Sequence, residues 1–320
     1  IGEVEIRFLD RLTGEPTEGR TRPAMIHRHF KSIKPGMALH GRMLEDITDL
    51  MATAGLETAN ITWSPRKLET GTWVDTTINV VERQSAGFSG GGGISAKGLQ
   101  EGGLSALIAN ADYFRRNLFG RCQTLTARVE ISPSNFGNKP EIDIKLAHQD
   151  PWVGGDAQRT SRRTFLDSDS STLESIHARV GDSGVGGDGD EDDVELPGTA
   201  DDGPKGVFVR RVVSGVEYRR PLGACWTGTL SATYQRAGTH DDLKQECLQD
   251  AYGSPLTFSG LSHDTMFNTL MRFVYEGRGR DEAQLVLSAE QALPIRPDML
   301  SFNRLLVRAQ RKFHAGRSAA

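Results

Sequence analysis

The sequence predicts two domains, a small α+β domain followed by an antiparallel β domain of about ten strands. In the first part of the chain apolar residues recur at helical spacing, whereas from residue 123 onward apolar and polar residues alternate. A glycine-rich stretch, Gly87 to Gly120, separates the two patterns. We therefore place the first domain at residues 1–84 and the second at residues 85–320.

The first domain opens with a strand and a short helix. Residues 4–8 alternate between apolar and charged side chains, which predicts a half-buried strand. Pro23 suits the first turn of a helix, and we expect that helix to run to about Ser32.

A second helix and two strands complete the first domain. Apolar residues between Met43 and Ala54 form one helical stripe, with Asp46 expected on the solvent face and Gly55 as the C-terminal cap. Strands are predicted from Thr58 to Arg66 and from Trp73 to Arg83. The order is therefore strand, helix, helix, strand, strand.

The second domain alternates along almost its whole length, which is compatible with two architectures. In a soluble β-sandwich the apolar face would be the core, whereas in a membrane barrel it would face lipid. Aromatic residues near the expected strand ends favour the barrel, because such residues form interfacial girdles. These residues are Trp152, Tyr218, Trp226 and Tyr275.

Composition excludes several classes of protein. The net charge of −4 gives no electrostatic basis for binding nucleic acid. No apolar run approaches the ~20 residues of a membrane helix. The three cysteines have no CxxC spacing, so we expect unpaired thiols. No targeting segment is visible, and the chain begins within an expected strand.

No stretch predicts an enzyme, a cofactor or a metal site. Gly90–Gly93 lacks the Lys-Ser/Thr pair of a phosphate loop. An acidic segment at about 168–205 is predicted to be a disordered loop; the alternatives are a weak calcium site or a contact for a basic client. His263 and Asp264 are adjacent to Ser262, but adjacency is not triad geometry.

Several short motifs resemble the outer-membrane protein assembly family, in which soluble POTRA modules precede a transmembrane β-barrel. The likeness is to the chloroplast outer-envelope branch, and the insertion paralogue fits better than the preprotein import channel. The motifs are Gly90–Gly93 with Ile94 and Ser95, Gly98–Gly102, Arg116–Gly120, Asp150–Trp152, Thr160–Arg163, Gly215–Pro221 and Ser254–Thr257.

The resemblance implies a POTRA module followed by a transmembrane β-barrel that is incomplete in this chain. The family opens sideways at the first barrel strand, and glycines weaken strand pairing, so we expect a lateral gate there. Its client-binding residues are Phe88, Gly90, Gly91, Gly92 and Ile94. The other reading of these glycines is a tight barrel corner.

A second client-binding edge is expected on the POTRA strand at 58–66, because a free sheet edge can pair with an extended peptide. Its residues are Asn60, Ile61, Thr62 and Trp63. The alternative is a module that only positions the barrel.

The resemblance thus implies insertion of unfolded β-barrel precursors into the outer envelope of the plastid, without cofactor or nucleotide. Expected partners are these precursors, the lipid bilayer and other translocon subunits. Two other readings stay open: a preprotein translocation channel and a soluble β-rich binding protein. A bacterial outer membrane is the alternative localisation.

Overall fold

The computed structural model describes residues 1–38, 41, 43–51, 53, 55–68, 71–94, 107–132, 141–156, 158–172, 207–223, 225–240, 246–249, 254–277 and 283–311. They form two sheets, one of three strands and one of ten. None of the helices in these ranges is long and apolar enough to cross a membrane.

The first sheet and two helices follow the predicted order. They are β1 (Val4–Leu9), α1 (Pro23–His27), α2 (Met43–Met51), β2 (Leu56–Leu68) and β3 (Gly71–Glu82). We call these elements the α+β module. β3 is the central strand, with β1 parallel on one side and β2 antiparallel on the other. The prediction that the 58–66 strand lies at a sheet edge is therefore confirmed.

The core of the module lies between its helices and one face of its sheet. Apolar side chains alternate along β3, so that Ile78 and Val80 are both fully buried. They pack with the α2 stripe, which contributes Met43, Ile47 and Leu50. Burial of this apolar face is the main stabilisation of a helix as short as α2.

Two predictions about the helices are wrong, for one shared reason. Asp46 was expected in solvent but is buried, and α1 ends at His27 rather than near Ser32. The Asp46 carboxylate accepts the backbone N–H groups of residues 31, 32 and 33, at 2.9, 2.6 and 3.3 Å. These N–H groups cannot also continue the helix.

The ten-stranded sheet is an antiparallel meander in which each strand lies beside its neighbours in sequence. The count of about ten strands is confirmed for the part of the chain that the structure describes. The strands are β4 (Ala86–Ile94), β5 (Leu107–Leu118), β6 (Gln123–Ser132), β7 (Glu141–Asp150), β8 (Ser161–Thr172), β9 (Phe208–Pro221), β10 (Trp226–His240), β11 (His263–Glu276), β12 (Ala283–Ala292) and β13 (Phe302–Arg311).

The described strands form an open sheet, with β4 at one end and β13 at the other. Residues 98–102 and the acidic segment from 173 onward lie outside the described residues. The first residues of the predicted acidic loop, 168–172, belong instead to β8.

The chain divides into two compact units. One combines residues 1–89 with 112–127 and 147–163, and the other contains 90–111, 128–146 and 164–320. The connections β5–β6 and β7–β8 therefore belong to the same unit as the α+β module. The predicted boundary at 84/85 falls between β3 and β4, which lie in different sheets; as a domain boundary it stays a prediction.

Candidate functional site

All five predicted gate residues lie on β4, the first strand of the large sheet. Phe88, Gly90, Gly91, Gly92 and Ile94 fall within its bounds. Because β4 is a terminal strand, one of its edges has no partner among the described strands. The Phe88 side chain is exposed. The structure thus brings the predicted residues together on a free edge, while their role as a gate stays a prediction.

The glycines of β4 differ in what lies above them. A Cβ atom added at Gly87 would lie 2.4 Å from the Phe114 ring, and one at Gly91 would lie 2.7 Å from Oδ1 of Asn110. A Cβ atom added at Gly93 would meet none of the described residues within 4 Å. Side chains of β5 therefore occupy the space above Gly87 and Gly91, and no described side chain occupies the space above Gly93.

Phe114 is itself held in place. The Arg116 guanidinium lies 4.1 Å from the centre of the Phe114 ring, within the range of a cation–π contact. The Arg116 N–H donates to the carbonyl of Ser85 at 2.6 Å, just before β4. Sequence reasoning missed Phe114 and Arg116 and the contact that Phe114 makes with Gly87, because the cross-strand register cannot be derived from the glycine run alone.

The second predicted edge, on β2, combines an exposed and a core-facing side. Ile61 packs against the core of the module, whereas Asn60, Thr62 and Trp63 are exposed. The Thr62 hydroxyl donates to the carbonyl of Thr77 at 3.3 Å, across to β3. The four residues lie together on a strand that has no partner on one edge among the described strands, and their role in binding a client stays a prediction.

The large sheet has an apolar face that is more exposed than its polar face. In β10, a strand paired on both sides, Leu230 is 57% exposed while its polar neighbour Ser231 is 8% exposed. Adjacent residues of a strand point to opposite faces, so the usual burial pattern of a soluble sheet is inverted.

This apolar surface continues across five strands. The register places Leu230 opposite Tyr218 of β9 and Met271 of β11. Met271 pairs with Ala289 of β12, which pairs with Leu305 of β13. We call these five residues the apolar row. Its large members are all exposed, an arrangement that marks an interaction surface when it is this extended.

The predicted aromatic girdle is only partly supported. Trp226 and Tyr275 are cross-strand partners at one end of β10, with ring centres 5.2 Å apart. Trp152, in contrast, is 7% exposed. It is packed by residues of the α+β module and of its own turn, so the prediction that it faces outward is wrong.

No group of three or more His, Cys, Asp or Glu side chains suitable for a metal ion occurs within the described ranges. Cys122, Cys225 and Cys247 form no disulfide, which agrees with their prediction. Burial raises the pKa of Cys122 to about 11, despite a hydrogen bond from Thr53 that acts in the other direction. The predicted absence of metal, cofactor and enzymatic activity stays a prediction.

Two curated relatives match nearly the whole chain. "Outer envelope protein 80, chloroplastic" of Oryza sativa subsp. japonica is 36% identical over 319 residues, which are 99% of this chain and 43% of that protein. Its namesake in Arabidopsis thaliana is 34% identical over 319 residues, 99% of this chain and 39% of that protein. The chain therefore spans less than half of either relative. No family model matches it.

Solved structures with the same fold come from bacteria. BamA from Haemophilus ducreyi, in a form that lacks POTRA domains 1–3, aligns over 92% of this chain and 49% of its own with a TM-score of 0.51 and 14% identity. CdiB from Escherichia coli aligns over 96% of this chain and 50% of its own with a TM-score of 0.55 and 12% identity. At these identities the likeness concerns the fold.

The ten-stranded antiparallel sheet, which is open over the described strands, shares the fold of these β-barrel structures. The predicted resemblance to the outer-membrane protein assembly family, in its chloroplast outer-envelope branch, is confirmed, because two chloroplast outer envelope proteins are homologous to 99% of this chain. The predicted localisation in the chloroplast outer envelope is thereby confirmed.

Proposed function

We propose that this protein inserts β-barrel precursors into the outer envelope, with β4 as the strand to which a precursor pairs. The observation that carries the proposal is the free edge of β4, at the end of a sheet that bears an exposed apolar row. Unpaired N–H and C=O groups are strongly unfavourable in lipid, so a precursor strand would gain stability by pairing there.

The α+β module has the strand and helix order of a POTRA domain, and we assign it that identity as part of the proposal. Its free β2 edge would receive extended precursor segments by β-augmentation. The apolar row would face lipid, because its side chains are compatible with hydrocarbon, whereas charged or polar side chains in the same place would be costly in a bilayer. Neither step requires a cofactor or a nucleotide.

A preprotein translocation channel is the second candidate. The face opposite the apolar row carries polar and charged side chains, including Arg272, Ser288, Glu290 and Arg304. In a barrel this face would line a wet lumen through which a chain could pass.

Site-specific photocrosslinking distinguishes the two functions. Benzoylphenylalanine at Phe88 would report on the free edge of β4, and the same probe at Arg272 would report on the polar face. Tyr113 is the matched control, since it is also an exposed aromatic residue but lies on β5, which is paired on both sides. Labelled β-barrel and transit-peptide precursors are offered to the membrane-inserted protein.

Insertion predicts crosslinks from Phe88 to a terminal strand of the β-barrel precursor, and none from Tyr113. Crosslinks from Arg272 to the transit-peptide precursor, with none from Phe88, would establish the channel instead. Equal crosslinking from Phe88 and Tyr113 would show that the β4 edge has no special role.

A further inference from the structure

The β7–β8 connection carries an anchor that the proposed function does not use. The Trp152 side chain meets the His29 ring edge-to-face, with ring centres 5.2 Å apart. The guanidinium carbons of Arg28 and Arg159 lie 5.5 and 5.4 Å from the centre of the indole ring. Both distances are within cation–π range, so three side chains from two distant segments surround one tryptophan.

Arg159 links the β7–β8 connection to helix α2 by an ion pair. Its Nη1 atom lies 2.7 Å from a carboxylate oxygen of Asp49, and its Nη2 atom donates to the carbonyl of His29 at 3.4 Å. Arg159 also has a positive φ of 58°, which residues other than glycine adopt when surrounding contacts compensate for it. The ion pair is partly shielded by this packing.

The connection is organised around Trp152 by its own hydrogen bonds. The Asp150 carboxylate accepts the backbone N–H of Trp152 at 3.1 Å and the side-chain amide of Gln123 at 2.7 Å. The indole N–H donates to the carbonyl of Asp156, whose carboxylate accepts the hydroxyl of Thr160. These hydrogen bonds of Asp150 and Asp156 hold the turn in the conformation that presents Trp152.

The β5–β6 turn contacts the module at a second place. The Asn117 side-chain amide donates to the hydroxyl of Thr21 at 2.8 Å, and the N–H of Arg22 donates to the carbonyl of Gly120 at 3.0 Å. Gly120 has a positive φ, and a Cβ atom there would lie 2.4 Å from the carbonyl oxygen of Arg20. Only glycine permits this approach.

We propose that the β5–β6 and β7–β8 turns form a docking surface for the α+β module, with Trp152 as its anchor and Arg159 as a positioning residue. The module and the adjoining ends of strands β5 to β8 then move as one body. This inference does not depend on the nature of the client, because it rests on contacts within one compact unit.

A native thiol provides the test. A Cβ atom at Gly55 would lie 3.3 Å from Sγ of Cys122. This is close to the distance between the Cβ atom of one cysteine and the sulfur of the other in a disulfide. Gly55 does not have a positive φ, so a cysteine fits its backbone. We would introduce Gly55→Cys into the full-length, membrane-inserted protein, with Cys225 and Cys247 replaced by serine. The equilibrium between this disulfide and the two thiols in a glutathione redox buffer then measures the effective concentration of the two thiols, which is high only while the module is docked on the β5–β6 turn.

Trp152→Leu and Arg159→Gln are each expected to lower this effective concentration, by about tenfold for the tryptophan. Trp226→Leu is the matched control, because this tryptophan lies on β10 outside the docking surface, and the effective concentration should not change. Heat-modifiable mobility on a gel reports separately that the sheet has folded.

An unchanged effective concentration in both Trp152→Leu and Arg159→Gln would overturn the proposal. If Trp152→Leu does not fold, Arg159→Gln decides, since it retains the indole and removes only the ion pair and one cation–π contact. Because precursor insertion is not measured, a negative result here is distinct from failure of the proposed function.

Discussion

The α+β module and the large sheet use the same alternation of apolar and polar residues with opposite results. In β3, the central strand of the module, Ile78 is fully buried. In β10, which is also paired on both sides, Leu230 is more than half exposed and Ser231 is buried. The difference teaches that period-two alternation defines two faces of a strand but does not determine which face meets the solvent.

The two regions also differ in how their edges are built. β2 carries exposed side chains of varied chemistry, from Asn60 to Trp63, whereas β4 exposes mainly backbone between Gly90 and Gly93. An edge rich in side chains can select among partners, while a glycine-rich edge offers the hydrogen-bonding groups common to every strand. The proposed capture step would use the selective β2 edge, and the proposed insertion step would use the unselective β4 edge.

The largest expected effect concerns the apolar row. Leu230→Lys should reduce assembly in lipid bilayers, because a lysine on a lipid-facing strand costs about 2–4 kcal/mol near the midplane. The measurement is the fraction of heat-modifiable protein recovered in liposomes. Thr229→Lys is the control, since residue 229 points to the opposite face. Equal recovery of the two variants would contradict a lipid-facing row.

The second prediction concerns the pH dependence of the stability of the α+β module. Burial and the nearby charges of Arg159 and Arg28 lower the pKa of His29 to about 4, despite the opposing effect of Asp49. Between pH 6.5 and about 4 the His29 side chain is protonated in the unfolded chain and neutral in the folded chain, so the unfolded chain binds one proton more. The stability of the module should therefore fall as the pH decreases through this window, by up to ~3 kcal/mol.

Limited proteolysis of the intact protein in rising urea, followed at cleavage sites within residues 1–82 and repeated at a series of pH values, measures this loss. His29→Phe should flatten the profile, whereas His27→Phe, at an exposed neighbouring position, should leave it intact. A profile that stays steep in His29→Phe would assign the pH dependence to other groups.

The third prediction tests the uneven cover of β4. Gly87→Val should destabilise the β4–β5 pair by about 1–3 kcal/mol, because its side chain would overlap the Phe114 ring. A Cβ atom at Gly93 meets no described residue within 4 Å, so Gly93→Val should fold as well as the parent. The midpoint of thermal loss of the heat-modifiable band compares the two. Equal midpoints would show that Phe114 does not restrict β4.

Local patterns predicted the order of elements well, and long-range contacts account for what they missed. The stripe of α2, the alternation of β3 and the glycines of β4 are properties of neighbouring residues, and they predicted these elements nearly to their ends. The burial of Trp152 depends on His29, and the burial of Asp46 depends on a loop whose conformation local sequence patterns do not predict. Likewise, Gly87 gains its importance only through the register with β5.

The smallest expected effect distinguishes the β2 edge from the strand beside it. Trp63→Ala should weaken binding of an extended precursor peptide about tenfold, because an exposed aromatic residue on an edge strand can pack on an added strand. Trp73→Ala, on the central strand β3, should change that affinity little. Fluorescence anisotropy of a labelled peptide measures both.

Since the Trp63 side chain is 54% exposed, its removal should hardly alter stability, and the loss can be attributed to binding. A larger loss in Trp73→Ala would move the capture site away from the β2 edge, and the division between a selective and an unselective edge would no longer hold.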